Sequence, residues 1–181
     1  MKTPIIFWKW LVALSTVVSG ILLCLQASAQ TQTNKLRVGI YDSRAVAVAY
    51  ANSTEFKEAM KSIEADHKKA KEAKDEKRVK EIENRMKSRQ RRAHEQGFST
   101  GSVAPIIETV KARLPEVAKQ SGVLLIVSKW ELNYQSPAVE AVDVTDKIIA
   151  LFHVSERGLR WSQEIQQKPP LAIEQITEHM D

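Results

Sequence analysis

Cysteine, glycine and aromatic residues are all scarce in this chain. Its 181 residues hold one Cys, six Gly and six Pro, and only 6% are aromatic. A disulfide framework needs at least two cysteines, so none can form within the chain. Six glycines with few turn clusters argue against an all-β sandwich, which needs many short strands and a turn between each pair. The four histidines, His67, His94, His153 and His179, are scattered without an i,i+4 pair. Zinc needs three or four converging ligands, so no metal is expected. Ser43, Ser99 and Ser102 lie outside any G-x-S-x-G turn. Asp42, Asp143 and Asp146 read as helix caps rather than as a catalytic carboxylate pair. Without a nucleophile–base constellation, neither an enzyme nor a cofactor is expected.

The N-terminus carries the clearest local signal. Lys2 and Lys9 form a positive region, Trp10 to Leu25 is uncharged and mostly apolar, and Ala27-Ser28-Ala29 supplies a small-x-small cleavage site. Residues 1–29 are therefore read as a signal peptide cleaved after Ala29, which predicts a periplasmic protein. The alternative is an uncleaved membrane anchor, since the apolar run is nearly long enough to span a bilayer. Cys24 follows Leu23, where a lipobox has a small residue. A chain starting at Gln30 has no cysteine, so its stability must come from a packed core or from oligomerisation.

Leu36 to Tyr41 (LRVGIY) reads as a strand with Leu36, Val38 and Ile40 on one face. Asp42 or Ser43 can cap a short helix through Ala51, and Asn52 or Ser53 starts the next. From there Phe56, Met60, Ile63, His67 and Ala70 follow steps of four and three, a heptad seam, with His67 as a polar register residue. A second seam runs Val79, Ile82, Met86 and, through Arg89, Ala93. Either one helix of about 44 residues and ~66 Å or a hairpin with arms of ~30 Å would fit. The hairpin, turning near Lys74 to Lys77, is preferred because it lets the two seams face each other. Gly97 to Gly101 should end it. Pro105 to Gln120 reads as a helix kinked by Pro115 and stopped by Gly122. Val123–Val127 and Val139–Val144 read as strands, and Asp146–Phe152 as a closing helix. The fold class is α+β. A small strand-built body (36–52 and 102–152) carries a protruding coiled-coil hairpin (53–98), and residues 153–181 form a C-terminal extension.

The order of these elements, the opening LRVGIYDSRAV and the closing GVLLIVSKWELNY with VEAVDVTDKIIALF resemble the Skp (OmpH-like) periplasmic chaperone family over residues 36–152. The resemblance implies a homotrimer whose short strands close a β-barrel body. It also implies helical tentacles around a cavity for unfolded outer-membrane proteins, and no catalytic residues. The hairpin here is shorter than the family's tentacle, and residues 153–181 lie outside the family pattern.

Net charge is +5 at a sequence pI near 9.3, which favours an acidic partner or surface. Lys57 to Arg92 hold 14 Lys and Arg against eight Asp and Glu. Arg85, Lys87, Arg89, Arg91 and Arg92 make the densest patch and are the candidate partner-binding residues, with Trp130 as a candidate interface anchor. Trp161, with Leu159 and Ile165, lies on a weakly amphipathic segment suited to docking on the body or on a membrane. The patch suits unfolded envelope clients or anionic lipid headgroups. No aromatic interleaves the basic run, which argues against nucleic acid. The expected function is a non-enzymatic chaperone for outer-membrane or envelope proteins. The alternative is an envelope scaffold with the same trimeric body and no client-holding activity.

Overall fold

A computed structural model describes residues 35–178 of the chain. The proposed signal peptide, Cys24 and His179 lie outside the described residues. The chain is mixed helix and sheet. Strand β1 (Leu36–Tyr41) is followed by helices α1 (Ser43–Ala51), α2 (Thr54–Glu72) and α3 (Glu76–Phe98). Next come α4 (Ala104–Val110), one 3-10 turn (Lys111–Arg113) and α5 (Leu114–Ser121). Strands β2 (Leu125–Ser128) and β3 (Val139–Asp143) precede α6 (Thr145–Ile149), α7 (Glu156–Gln166) and α8 (Ile173–Glu178).

The sheet is parallel, with β1 in the centre and β2 and β3 at its edges. Val38 pairs with Leu125 and Ala141, and Gly39 with Ile126 and Val142. Successive side chains alternate between faces. One face therefore carries Gly39, Tyr41, Ile126 and Val142, and it packs on the core formed with α1, α4, α5 and α6. The other carries Leu36, Val38, Ile40, Leu125, Val127, Val139 and Ala141. Leu36 and Leu125 on that face remain 47% and 49% exposed. Ile126 thus belongs to the covered face, and the open apolar face runs through its neighbour Leu125. Strand β2 starts two residues later than the apolar run suggests, with Val123 buried and Leu124 exposed.

Helix α1 is buried almost all round. Ala45, Val46 and Ala49 have no exposed surface, which makes it a core helix despite its β-branched residues. Helices α2 and α3 run back along each other. Met60, Ile63 and His67 are half-buried and Ala70 is buried, opposite a stripe of Val79, Ile82, Met86 and Ala93 in which Ile82 is the deepest. His67 Nε2 lies 3.1 Å from Glu83 Oε1 across the pair. The turn falls at Ala73–Asp75. Asp75 N–H donates to the Ala70 carbonyl and Lys74 N–H to that of Lys71, with Lys74 at φ 55. That is a Schellman closure with lysine where glycine usually sits. Asp75 then caps α3 by accepting from Arg78 N–H at 3.0 Å.

Both expected breaks occur, at positions set more finely than the residues suggest. Gly97 does not break the helix, because α3 stays helical through Phe98 with Gln96 and Gly97 buried against α1. The break is enforced at Gly101, where a Cβ would lie 2.9 Å from the Glu95 carbonyl. The helix over Pro105–Gln120 is divided by the 3-10 turn ahead of Pro115, which cannot donate the hydrogen bond that would continue it. Gly122 ends α5 in the left-handed region, φ 61.

Residues 153–178 are built into the body. Ser53 bridges Val154, Thr54 N–H donates to the His153 carbonyl, and α7 packs along α1. The seat of α7 is Gly158 and Ser162 with half-buried Ile165, whereas Leu159 and Trp161 point outward at 40% and 44% exposure. A Cβ on Gly158 would lie 2.5 Å from Asn52 Cβ, whose amide is anchored on the Val48 carbonyl at 2.8 Å. Gly158→Ala gains about 1 kcal/mol of helix propensity but forces a shift costing ~1–3 kcal/mol, so net destabilisation is expected. Gly97→Ala is the matched control. Its Cβ would sit 3.5 Å from Val48, an ordinary contact, so the same propensity should appear as neutral or stabilising. Urea denaturation of both variants checks the pair.

Candidate functional site

The five basic residues of the densest patch do not share one surface. Arg85, Arg89 and Arg92, at steps of four and three, line one groove along α3 with Asn84, Ser88 and Glu81, the last of these held by Arg78. Lys87 faces another, beside Lys71, Lys80 and Glu83. Arg91 reaches Glu95 at 4.0 Å. Among the described residues, Arg85, Arg89 and Arg92 make no ion pair. They form a row of free guanidinium groups ending at the root of the helix pair. Elsewhere on the two helices, charges are partly neutralised, as in Lys68–Glu72 at 3.8 Å and Arg78–Glu81 at 2.8 Å.

At that root the row meets an apolar cleft of about 240 Å³ between α1, α2, α3 and α4. Tyr50, Phe56 and Ile106 line it, with Arg89 and Arg92 on the α3 side. A second, larger groove of about 500 Å³ opens on the other flank of α1, between Phe98 and Trp161. Trp161 carries the Arg157 guanidinium 4.9 Å above its ring.

Trp130 lines neither the arginine groove nor the cleft at its end. Its indole N–H donates to Asp42 Oδ1 at 3.0 Å, and Arg44 and Lys129 flank its ring at 4.6 and 4.7 Å. It belongs to a charged network inside the body that the sequence reading missed. Arg44 is fully buried and forms a two-pronged pair with Asp42, Nε to Oδ1 at 3.3 Å and Nη2 to Oδ2 at 3.0 Å. Its Nη1 donates to the Lys168 carbonyl at 2.9 Å. Lys129 Nζ reaches Asp42 Oδ2 at 2.8 Å. The same carboxylate caps α1 by accepting from Arg44 N–H, and Asp42 N–H donates to Thr145 Oγ1, both at 3.0 Å. Burial alone would raise the Asp42 pKa. Hydrogen bonds from Arg44, Lys129 and Trp130, and the Arg44 charge, outweigh that and hold it at about 2. The available signal was a lone arginine two residues after the capping Asp, in a helix otherwise made of small and apolar residues.

The remaining candidates have structural partners. Ser99 ends α3, Ser102 Oγ accepts from Ala104 N–H, and Asp143 accepts from Thr145 N–H at 2.8 Å. Among the described residues, no group of three or more His, Cys, Asp or Glu gathers around a metal-sized site. Nor is any described helix long and apolar enough to cross a membrane. Comparison with protein families, with characterised proteins and with solved structures finds no match to the chain.

The Asp42–Arg44 pair makes a two-part prediction. Arg44→Ala removes the two-pronged pair and the Lys168 contact and leaves Asp42 to Lys129 and Trp130, so it should cost ~2–4 kcal/mol. Because the Asp42 pKa falls from 3.8 to about 2 on folding, its contribution is complete above the unfolded value and is lost as pH falls through about 2. Asp42→Asn should therefore remove part of the acid-induced loss of stability between about pH 4 and 2, worth ~2 kcal/mol. Denaturant titrations across that range check it. An acid limb unchanged in Asp42→Asn would contradict the assignment.

Proposed function

We propose that the chain is an exported, Skp-like, non-enzymatic chaperone that works as a homotrimer and holds unfolded outer-membrane or envelope proteins. The observation that carries this reading is the row Arg85, Arg89 and Arg92, without an ion pair among the described residues, along a helix that packs back against α2. Unpaired cations on a protruding element attract acidic segments over roughly a Debye length, ~8–10 Å in ordinary salt. The apolar cleft at the hairpin's root offers such a segment a place for a side chain. An anionic lipid surface is a further partner of the same chemistry.

The sheet supports the trimer reading. Leu36 and Leu125 stay about half exposed on a face whose Val38 is buried, and the two outer edges of the sheet pair with no further strand among the described residues. Pairing the free edge of β2 with the free edge of β3 in the next copy is a head-to-tail contact, and a ring of such contacts removes every edge. Closing three copies into a barrel turns the open faces toward one another.

The scaffold reading draws on arm length. Helices α2 and α3 have 19 and 23 residues, which gives ~29 and ~35 Å. Arms of that reach enclose little volume. Stoichiometric co-purification with one folded partner, and no affinity for unfolded chains, would select it.

Two experiments test the proposal. The purified protein should suppress aggregation of a diluted, urea-unfolded outer-membrane β-barrel, and suppression should weaken as salt rises. No suppression at any salt would remove the chaperone reading. For the assembly, Leu125→Asp on the open face should yield a folded, dissociated chain in sedimentation, whereas Ile126→Asp on the covered face should unfold it. Wild-type sedimentation as a well-folded monomer at micromolar concentration would contradict the trimer.

A further inference from the structure

The cleft at the root of the helix pair has a shape that charge alone does not account for. Its floor is the exposed rim of an aromatic cluster, in which the Tyr50 ring meets Phe56 and Phe152 edge-on at centroid distances of 5.7 and 5.5 Å. About 240 Å³ is room for one large side chain, and no acidic residue lines it. A ring entering there would extend the edge-to-face array. Arg92 and Arg89 stand at the α3 side, and Arg85 follows one turn further out.

The spacing of the row adds the second element. Arg85 and Arg89 are four residues apart, ~6 Å along the helix axis. In an extended chain, alternate side chains point the same way at ~6.6 Å intervals. The two repeats nearly match. We infer that the cleft and the arginine row form one docking site for an extended acidic–aromatic polypeptide segment. An aromatic side chain enters the cleft, and carboxylates two and four residues away pair with Arg89 and Arg85. A line of separated cations at strand spacing suits a string of side-chain charges better than a single lipid headgroup. The inference rests on the client-binding reading and names the client feature that the site selects.

The test uses short fluorescein-labelled peptides and fluorescence anisotropy with the full chain. The first peptide carries Phe followed by Asp at the second and fourth positions beyond it. The second replaces Phe by Ser, the third moves both Asp next to Phe, and the fourth replaces Asp by Lys. The first should bind roughly tenfold more tightly than the second or third, and the fourth should not bind. Arg85→Glu/Arg89→Glu should lose the first peptide and gain the fourth, a swap that only a folded site can make. Equal binding of all acidic peptides, or displacement of the first by vesicles of anionic phospholipid with no preference among peptides, would overturn the site. Aggregation suppression separates this from the broader reading. If the wild type and Arg85→Glu/Arg89→Glu suppress aggregation equally and no peptide is preferred, the docking site falls and the chaperone reading stands. If the peptides discriminate as described but the wild type suppresses nothing, the docking site stands and the chaperone reading falls.

Discussion

Burying Arg44 constrains everything around it. A guanidinium with no exposed surface is tolerable only if its charge is matched and its donors are used, since an unpaired charge in the interior costs several kcal/mol. Asp42 supplies the charge and two acceptor oxygens, and the Lys168 carbonyl takes the outward nitrogen. Satisfying one side chain thus requires the end of β1, the start of α1, the Lys129–Trp130 loop and the chain after α7 to meet at one point. The C-terminal segment is held by the same requirement as the first helix.

Around that point α1 acts as the axis. Helix α7 packs along it through Gly158 and Ser162, and the last turn of α3 packs on it through Gln96 and Gly97. Close approach explains the small residues Gly158, Ser162 and Gly97 at these contacts. The α2–α3 pair is consequently rooted in the best-packed part of the molecule while its outer length has little core of its own. Ala70 and Ile82 are its fully buried apolar residues away from the root. Local opening of the outer turns should therefore occur well below the global unfolding free energy. An arm firm at its base and looser toward its tip suits contact with chains of varied shape, and the free arginines lie near the firm end.

Several elements were legible in the residues because a short-range rule governs them. LRVGIY alternates into one strand with the bounds expected, Gly122 ends α5 in the left-handed region, and the seams from Phe56 to Ala70 and from Val79 to Ala93 are the sheltered stripes of α2 and α3, except at Arg89, which is exposed. Other elements depend on distant partners. Helix α7 hides from a search for apolar periodicity because its buried positions include Gly158 and Ser162, while its visible apolar residues, Leu159 and Trp161, face out. Arg44 reads as a surface charge until Asp42, Trp130 and the Lys168 carbonyl converge on it. Of the candidate site, the row Arg85, Arg89 and Arg92 follows from helical spacing, but the cleft at its end, built from four helices, does not.

The central claim is that three copies join through the sheet and present basic hairpins to an unfolded client. Native mass spectrometry of the mature protein, alone and mixed with an unfolded outer-membrane barrel, tests both halves at once. The account predicts a trimer alone and a trimer carrying one client chain in the mixture, with the adduct lost at high salt. A monomer in the first sample and no adduct in the second would contradict it.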